Sequence, residues 1–327
     1  MRAILPLAGI GSRLRPHTHT LPKSLVPVAG KPILGHILDR LIPVGVSEVV
    51  LIVGQMGDMI VDYVSENYNF VVRVVNQEER RGLGHAVYLS REHVDPAEPV
   101  LIVLGDTIVE ADLAAVVRSP HSVLGVREVD NPQSFGVVSL EGDRIADLVE
   151  KPANPPSNLA VVGVYYIKNT ALLLNCLEYI IDQGITLKGE FQLTDALRRM
   201  IKLGEPMGVF PVESWFDCGN PESLLATNRY LLDRDGAVSA PLQNTVVIPP
   251  VHIARTARVA NSVVGPYVSV ADHAVVENCL IRDSILNEGA VVRDITLDGS
   301  LIGHNAVVTG RYTKLNIGDS SEIISGS

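Results

Sequence analysis

Up to about residue 230 the apolar positions of this chain follow two rhythms. Continuous Val, Ile and Leu runs, "RAILPLA", "EVVLIVG", "FVVRVVN" and "PVLIVLG", predict strands buried on both faces. Between them, "KPILGHILDRLIPVG", "QMGDMIVDYVSENY" and "GLGHAVYLSREHV" space their apolar residues as helices do, the first with proline near its start and glycine at its end. Strand–helix–strand alternation predicts a mostly parallel sheet covered on both faces, with ligand sites at the carboxyl ends of its strands. Residues 121–167 differ. Four strand-like runs, "HSVLGVREV", "SFGVVSLEG", "RIADLVEKP" and "LAVVGVYYI", come in quick succession and predict an inserted antiparallel or mixed segment walling a pocket. Helical patterns resume in "NTALLLNCLEYIIDQG", "FQLTDALRRMIKLG" and "NPESLLATNRYLLD".

After "DRDGAVSAPLQ" the period changes. Val264, Val270 and Val276 stand six apart, as do Ile285, Val291 and Leu297, and then Ile302 and Val308. A six-residue period with small or polar residues between predicts a parallel β-helix of roughly four coils over residues 240–320, its turns imperfect where the groups meet. An irregular β-sandwich is the competing reading. A length of 327 residues suits two domains, expected at 1–236 and 237–327.

Charge narrows the partners. With 27 Lys+Arg against 37 Asp+Glu, a net charge of −10 argues against a nucleic-acid surface, yet leaves room for a local anion site. Cys176, Cys218 and Cys279 are scattered, with no CxxC spacing, which predicts buried thiols in a reducing compartment and no zinc site. The N-terminus lacks a secretory pattern, and runs such as "VLIVL" fall far below the roughly 20 residues that span a bilayer. A cytoplasmic protein, without membrane or nucleic-acid partners, is expected.

Against that acidic background, "LAGIGSRLRPHTHTLPKSLVPVAGKP" collects glycines and cations straight after the first strand. Glycines there let backbone N–H groups approach an anion. Arg13 adds a fork of donors and Lys23 a mobile point charge. A dinucleotide-binding loop is the obvious rival. However, Leu14 stands at its third glycine position, and prolines follow where it needs a helix.

This stretch resembles the signature of the sugar-1-phosphate nucleotidylyltransferases, and the similarity continues in order through "NQEERRGLGHAV", "VLIVLGDTI", "FGVVSLEGDRIADLVEKP" with "NLAVVGVYY", and "WFDCGNPESLLATN". It covers residues 1–232 and extends to the hexapeptide tail that many members carry. Ile10 departs from the commonest family pattern, where a second glycine stands. The resemblance implies a Rossmann-like α/β fold of the nucleotide-diphospho-sugar transferase type, with a mostly parallel mixed sheet flanked by helices and a short left-handed parallel β-helix after it. It implies transfer of a nucleotidyl group from a pyrimidine nucleoside triphosphate to a sugar 1-phosphate, with release of pyrophosphate. The substrate phosphate is the nucleophile, so positioning and charge neutralisation carry the rate.

By the same resemblance Arg13 holds the β- and γ-phosphates and Lys23 bridges the two reacting phosphates. Leu7, Ala8, Gly9, Gly11 and Ser12 form the nucleotide loop, and Gln77 with Gly82 reads a uracil or thymine edge. Gly136, Glu150, Lys151 and Asn158 form the sugar-phosphate pocket. Asp106 and Asp217 hold Mg²⁺, an ion that takes one or two carboxylates together with substrate phosphates. Glu190 stays open between a ligand contact and a first-turn helix acid. "AGIGSR" and "GLGHAV" point to UTP, whereas the compact arm and short tail point to dTTP. Glucose 1-phosphate is the expected acceptor. Mannose-1-phosphate guanylyl transfer, N-acetylglucosamine-1-phosphate uridylyl transfer, a silent regulatory binder of the same fold and a dinucleotide oxidoreductase are the alternatives. His304 suggests an acyltransferase base only if the coil is long enough to build that site. Oligomerisation or regulation is the role expected of the tail.

Overall fold

The computed structural model describes residues 1–240 and 242–310. Strand β1 (Arg2–Pro6) leads through single-turn 3-10 segments and a short hairpin, β2 (Pro27–Val28) and β3 (Lys31–Pro32), into α1 (Ile33–Leu41). The alternation continues as β4 (Glu48–Val53), α2 (Gly57–Asn67), β5 (Val71–Asn76), α3 (Leu83–Leu89) and β6 (Val100–Val103). Next come β7 (Thr107–Glu110), α4 (Leu113–Val116), β8 (Ser122–Glu128), β9 (Gly136–Glu141), β10 (Arg144–Glu150) and β11 (Leu159–Ile167). After them stand α5 (Thr170–Asp182), α6 (Leu193–Lys202), β12 (Met207–Pro211), β13 (Ser214–Asp217) and α7 (Pro221–Asp235).

One nine-stranded sheet results, in the order β5–β4–β1–β6–β11–β8–β12–β10–β9. β1 runs parallel to β4 and β6, and β12 parallel to β8, whereas β11 is antiparallel to β6 and β8. The four runs of 121–167 therefore extend the main sheet, correcting the expectation of an inserted segment. The reason is β11, which is buried along nearly its whole length and ladders to both β6 and β8. Helices α5 and α6 cover the sheet through matching stripes at i, i+3, i+4 and i+7: Leu173, Cys176, Leu177 and Ile180 on one, Leu193, Ala196, Leu197 and Met200 on the other. Asn169 caps α5, its Oδ1 accepting from Leu172 N at 3.0 Å. Among the described residues no helix is long and apolar enough to cross a membrane.

The chain divides into two compact units between Thr227 and Asn228, inside α7. In the second unit, short strands stack in three parallel sheets of five, four and four strands. This is the arrangement of a β-helix and not of a sandwich. Each strand pairs with one 17 residues on in the early coils (Val247 with Val264, Val264 with Ile281) and 16 in the later ones (Ile281 with Leu297). Three full hexads would need 18, so some steps shrink to five. The inward series accordingly runs Val264, Val270, Val276, Ile281, Leu286 and Val292. Ile285 and Val291, expected in that series, instead align with Ser269 and Val275, outside the core cluster. At one corner Asn244, Asn261, Asn278 and Asp294 take left-handed backbone with φ of 47, 50, 56 and 56°, a conformation that Asn and Asp accept more readily than other side chains. Their side chains bond along the stack, Asn244 Nδ2 to Asn261 Oδ1 at 3.0 Å and Asn278 Nδ2 to Asp294 Oδ1 at 2.8 Å.

Candidate active site

β1 ends in the sheet's interior, where Leu7 N still donates to Ile52 O at 2.7 Å, and the chain then leaves at Ala8 and Gly9. Leu14, fully buried, anchors the loop. A single 3-10 turn, Lys23–Leu25, carries Lys23 inward, with Val26 N donating to Lys23 O at 3.1 Å. Lys23 is only 8% exposed. Burying an ammonium is costly unless it is paired, and the pairing is plain: Nζ lies 2.6 Å from Asp106 Oδ2 and 3.9 Å from Asp217 Oδ1. Arg13 Nη2 stands 3.8 Å from Asp217 Oδ2.

Asp106 and Asp217 are brought together by backbone. Asp106 stands in the short link from β6 to β7, directly before Thr107. β7 then pairs antiparallel with β13, placing Asp217 opposite Thr107, and Cys218 N donates to Asp106 O at 3.1 Å. Neither short strand is predicted by the hydrophobic pattern. Burial pushes the Asp217 carboxyl up and Lys23 draws it down, while Asp106 adds to the rise and Arg13 opposes it. Burial holds the Cys218 thiol protonated, raised to about 12. Its Sγ lies 3.6 Å from Thr227 Oγ1, so it is no nucleophile. Among the described residues no three His, Cys, Asp or Glu side chains converge to cage a metal. Two partly exposed carboxylates on the same lysine, both hard oxygen donors, nevertheless fit an ion that completes its shell with phosphate and water.

Beside this pair opens a cleft of about 570 Å³ lined by Leu7, Ala8, Gly9, Arg13, Lys23, Gln77, Gly82 and Asp106. Gly82 (φ 102°) caps α3, and a Cβ there would come within 2.5 Å of Phe191 O, so no other residue fits. Gln77 is 7% exposed, and its backbone N donates to Val53 O at 2.8 Å. Among the described residues, Gly11 and Ser12 lie outside the lining. Gly11 instead shapes the loop, its carbonyl accepting from Leu14 N at 2.9 Å and Thr18 Oγ1 at 2.8 Å.

Three lining residues escape the sequence reading or stay open in it. Ser24 Oγ is buried with no hydrogen-bond partner among the described residues. Arg80 lines the cleft and donates from Nε to Ala8 O at 3.1 Å; the doubled arginine of "EERRG" is its only signal. Glu190 also lines the cleft and precedes α6, where Asp195 is the first-turn acid, so the helix-acid reading falls away.

Of the remaining predicted residues, Gly136 begins β9, Glu150 ends β10 and Lys151 follows it, all outside that lining. Gly136 pairs with Glu150 across the ladder. Glu150 Oε2 accepts from Thr194 Oγ1 at 2.7 Å, and its Oε1 lies 3.6 Å from Lys151 Nζ. Lys151 N donates to Phe135 O at 2.9 Å, and Phe135 meets Trp215 edge-on, ring centroids 5.0 Å apart. Trp215 and Asp217 share a strand two residues apart, which ties this group to the carboxylate pair. Tyr165 is a second tie: burial raises its hydroxyl, and the charges of both Glu150 and Asp106 raise it further. Asn158 is exposed before β11, its carbonyl accepting from Val129 N at 3.0 Å.

With this geometry in hand, comparisons with known proteins are specific. The family model "Nucleotidyl transferase" matches residues 2–234. A glucose-1-phosphate thymidylyltransferase of Streptomyces griseus is 33% identical over 355 residues, covering 98% of each chain. The bifunctional protein GlmU of Methanocaldococcus jannaschii is 37% identical over 250 residues, spanning 76% of this chain and 59% of that protein. A crystal structure of UDP-glucose pyrophosphorylase complexed with UDP-glucose superposes with a TM-score of 0.62 at 25% identity, covering 72% of this chain and 99% of the other.

Proposed function

From the premise that this chain belongs to the nucleotidyl transferase family, to which its match over residues 2–234 assigns it, we propose that it joins dTTP or UTP to glucose 1-phosphate in the presence of Mg²⁺. It is an enzyme of sugar-1-phosphate nucleotidyl transfer. The observation supporting this reading of the site is Lys23 Nζ, 2.6 Å from Asp106 and 3.9 Å from Asp217, at the edge of a cleft that Gly9 and Gln77 also line.

The division of labour follows from charge and reach. A phosphate oxygen of the sugar 1-phosphate attacks the α-phosphorus, and pyrophosphate leaves from the opposite side. Arg13, exposed at the loop, holds the β- and γ-phosphates. Lys23, buried and already desolvated, faces both reacting phosphates, where negative charge crowds most. Mg²⁺, held by Asp106 and Asp217, supplies further charge neutralisation when bound. Ala8 and Gly9 present the backbone to the nucleotide, with Leu7, Gly11 and Ser12 shaping the loop around them; Ser24 Oγ offers a further donor, and Gln77 with Gly82 takes the base edge, an amide having both a donor and an acceptor for it. Glu150 accepts from sugar hydroxyls and Lys151 meets the sugar phosphate, with Gly136 and Asn158 completing that pocket. The coil unit serves assembly of copies of the chain.

A pyrophosphate-release panel of four nucleoside triphosphates against glucose, N-acetylglucosamine, mannose and galactose 1-phosphates tests this directly. UTP or dTTP with glucose 1-phosphate is the expected best pair. GTP with mannose 1-phosphate as the best pair overturns the reading. N-acetylglucosamine 1-phosphate as the best acceptor overturns its sugar half alone.

A further inference from the structure

A glutamine amide can serve two opposite base readings, depending on which way it points. With Oε1 toward the base N3, it accepts from the N3–H of uracil or thymine while Nε2 donates to O4. Turned over, it donates to the bare N3 of cytosine and accepts from its N4 amino group. The way Gln77 is held is therefore a matter of specificity.

That hold comes from behind the cleft wall. Gln77 Nε2 lies 3.4 Å from Gly82 O and 3.4 Å from His85 Nδ1. A carbonyl oxygen can only accept, so Nε2 belongs on that side. The ring nitrogen reinforces the choice when it too carries a lone pair. Burial lowers the His85 pKa, and the Arg81 charge lowers it further against the pull of Glu79, which favours the neutral ring, and its Nε2–H tautomer carries the lone pair on Nδ1. Both contacts are long for hydrogen bonds, and neither alone locks the amide. Gln77 lines the cleft, whereas His85, half-buried in the first turn of α3, lies outside the lining. Whatever His85 does to a bound base, it does through Gln77.

We propose that His85 is a specificity-determining positioning residue: by accepting from Gln77 Nε2 it holds the amide with Oε1 toward the base, admitting uracil and thymine and turning cytosine away. The inference rests on the pyrimidine reading of this cleft. One hydrogen of Nε2 is spent on Gly82 and His85, and the other stays beside Oε1 for the base.

The test measures kcat/KM for UTP, dTTP and CTP, with the best sugar 1-phosphate as acceptor, on the full chain and on His85→Leu, His85→Phe and His85→Gln. The unsubstituted chain prefers UTP or dTTP to CTP. In His85→Leu and His85→Phe that preference falls about three- to tenfold, the worth of one net hydrogen bond. In His85→Gln, whose own carbonyl can accept at the same place, it returns. If only one of the two apolar variants folds, it carries the comparison. Equal losses for all three nucleotides, or no recovery in His85→Gln, make His85 a packing residue and overturn the proposal. An unsubstituted chain that uses CTP as well as UTP overturns the proposal before any variant is made, whereas best turnover with ATP or GTP in the triphosphate panel fails the pyrimidine reading itself.

Discussion

The two units of this chain differ in how far apart in sequence their spatial neighbours lie. In residues 1–227, Lys23 meets Asp106, Gln77 sits in the same cleft as the glycine loop, and Asp217 stands opposite Thr107. In the coils each strand meets the one 16 or 17 residues away. Distant pairing makes one place in the fold unlike any other, which a reaction site requires. Near pairing makes every coil like the next, which gives stability in small increments. A change in the first unit should therefore tell on chemistry, and a change in the second on stability.

The largest expected effect is at the carboxylate pair. Asp106→Asn keeps size and removes charge, so turnover should drop on the order of 10²-fold or more, with thermal unfolding little altered. Near-normal turnover at saturating Mg²⁺ would mean that the ion sits elsewhere. Next, Lys23→Ala should depress turnover more than nucleotide affinity, because its charge matters most in the transition state. Arg13→Ala should weaken nucleotide binding itself. Calorimetric binding beside steady-state turnover separates the two, and the reverse pattern would exchange their roles. Smallest is Ile281→Val in the coil interior, where Ile281 is fully buried. It should cost about 0.5–1.5 kcal/mol of stability and leave turnover per folded molecule unchanged. A clear fall in kcat would show that the coils contribute to the chemistry.

What the amino-acid pattern reveals follows the same division. β1, β4 and β6 are legible because central parallel strands are apolar on both faces. α5 and α6 are legible because each buries a single stripe. β7, β12 and β13 are not, since "TIVE", "MGVFP" and "SWFD" are too short to carry a period, and partners supplied from elsewhere in the chain decide their pairing. The glycine loop, Lys23 and Asp106 are local signals. Arg80, Ser24 and the link from Phe135 to Trp215 depend on segments that meet only after folding. In the coils, the six-residue period survives to Val276 and then slips, because five-residue steps are invisible until the strands are aligned.

The pairing of β7 with β13 has a consequence in time. Asp106 and Asp217 are 111 positions apart, and β7 has no other strand partner among the described residues. At a synthesis rate of about 5–20 residues per second, β13 leaves the ribosome roughly 5–21 s after β7. Throughout that interval a nascent chain carries the glycine loop, Lys23 and Asp106 without the second carboxylate. It also carries a bare strand edge containing Ile108 and Val109, the kind of edge that invites a stray partner. The proposed reaction centre is thus among the last features of its unit to be completed, and a chain stopped before Ser214 would carry an open seam where that centre should be.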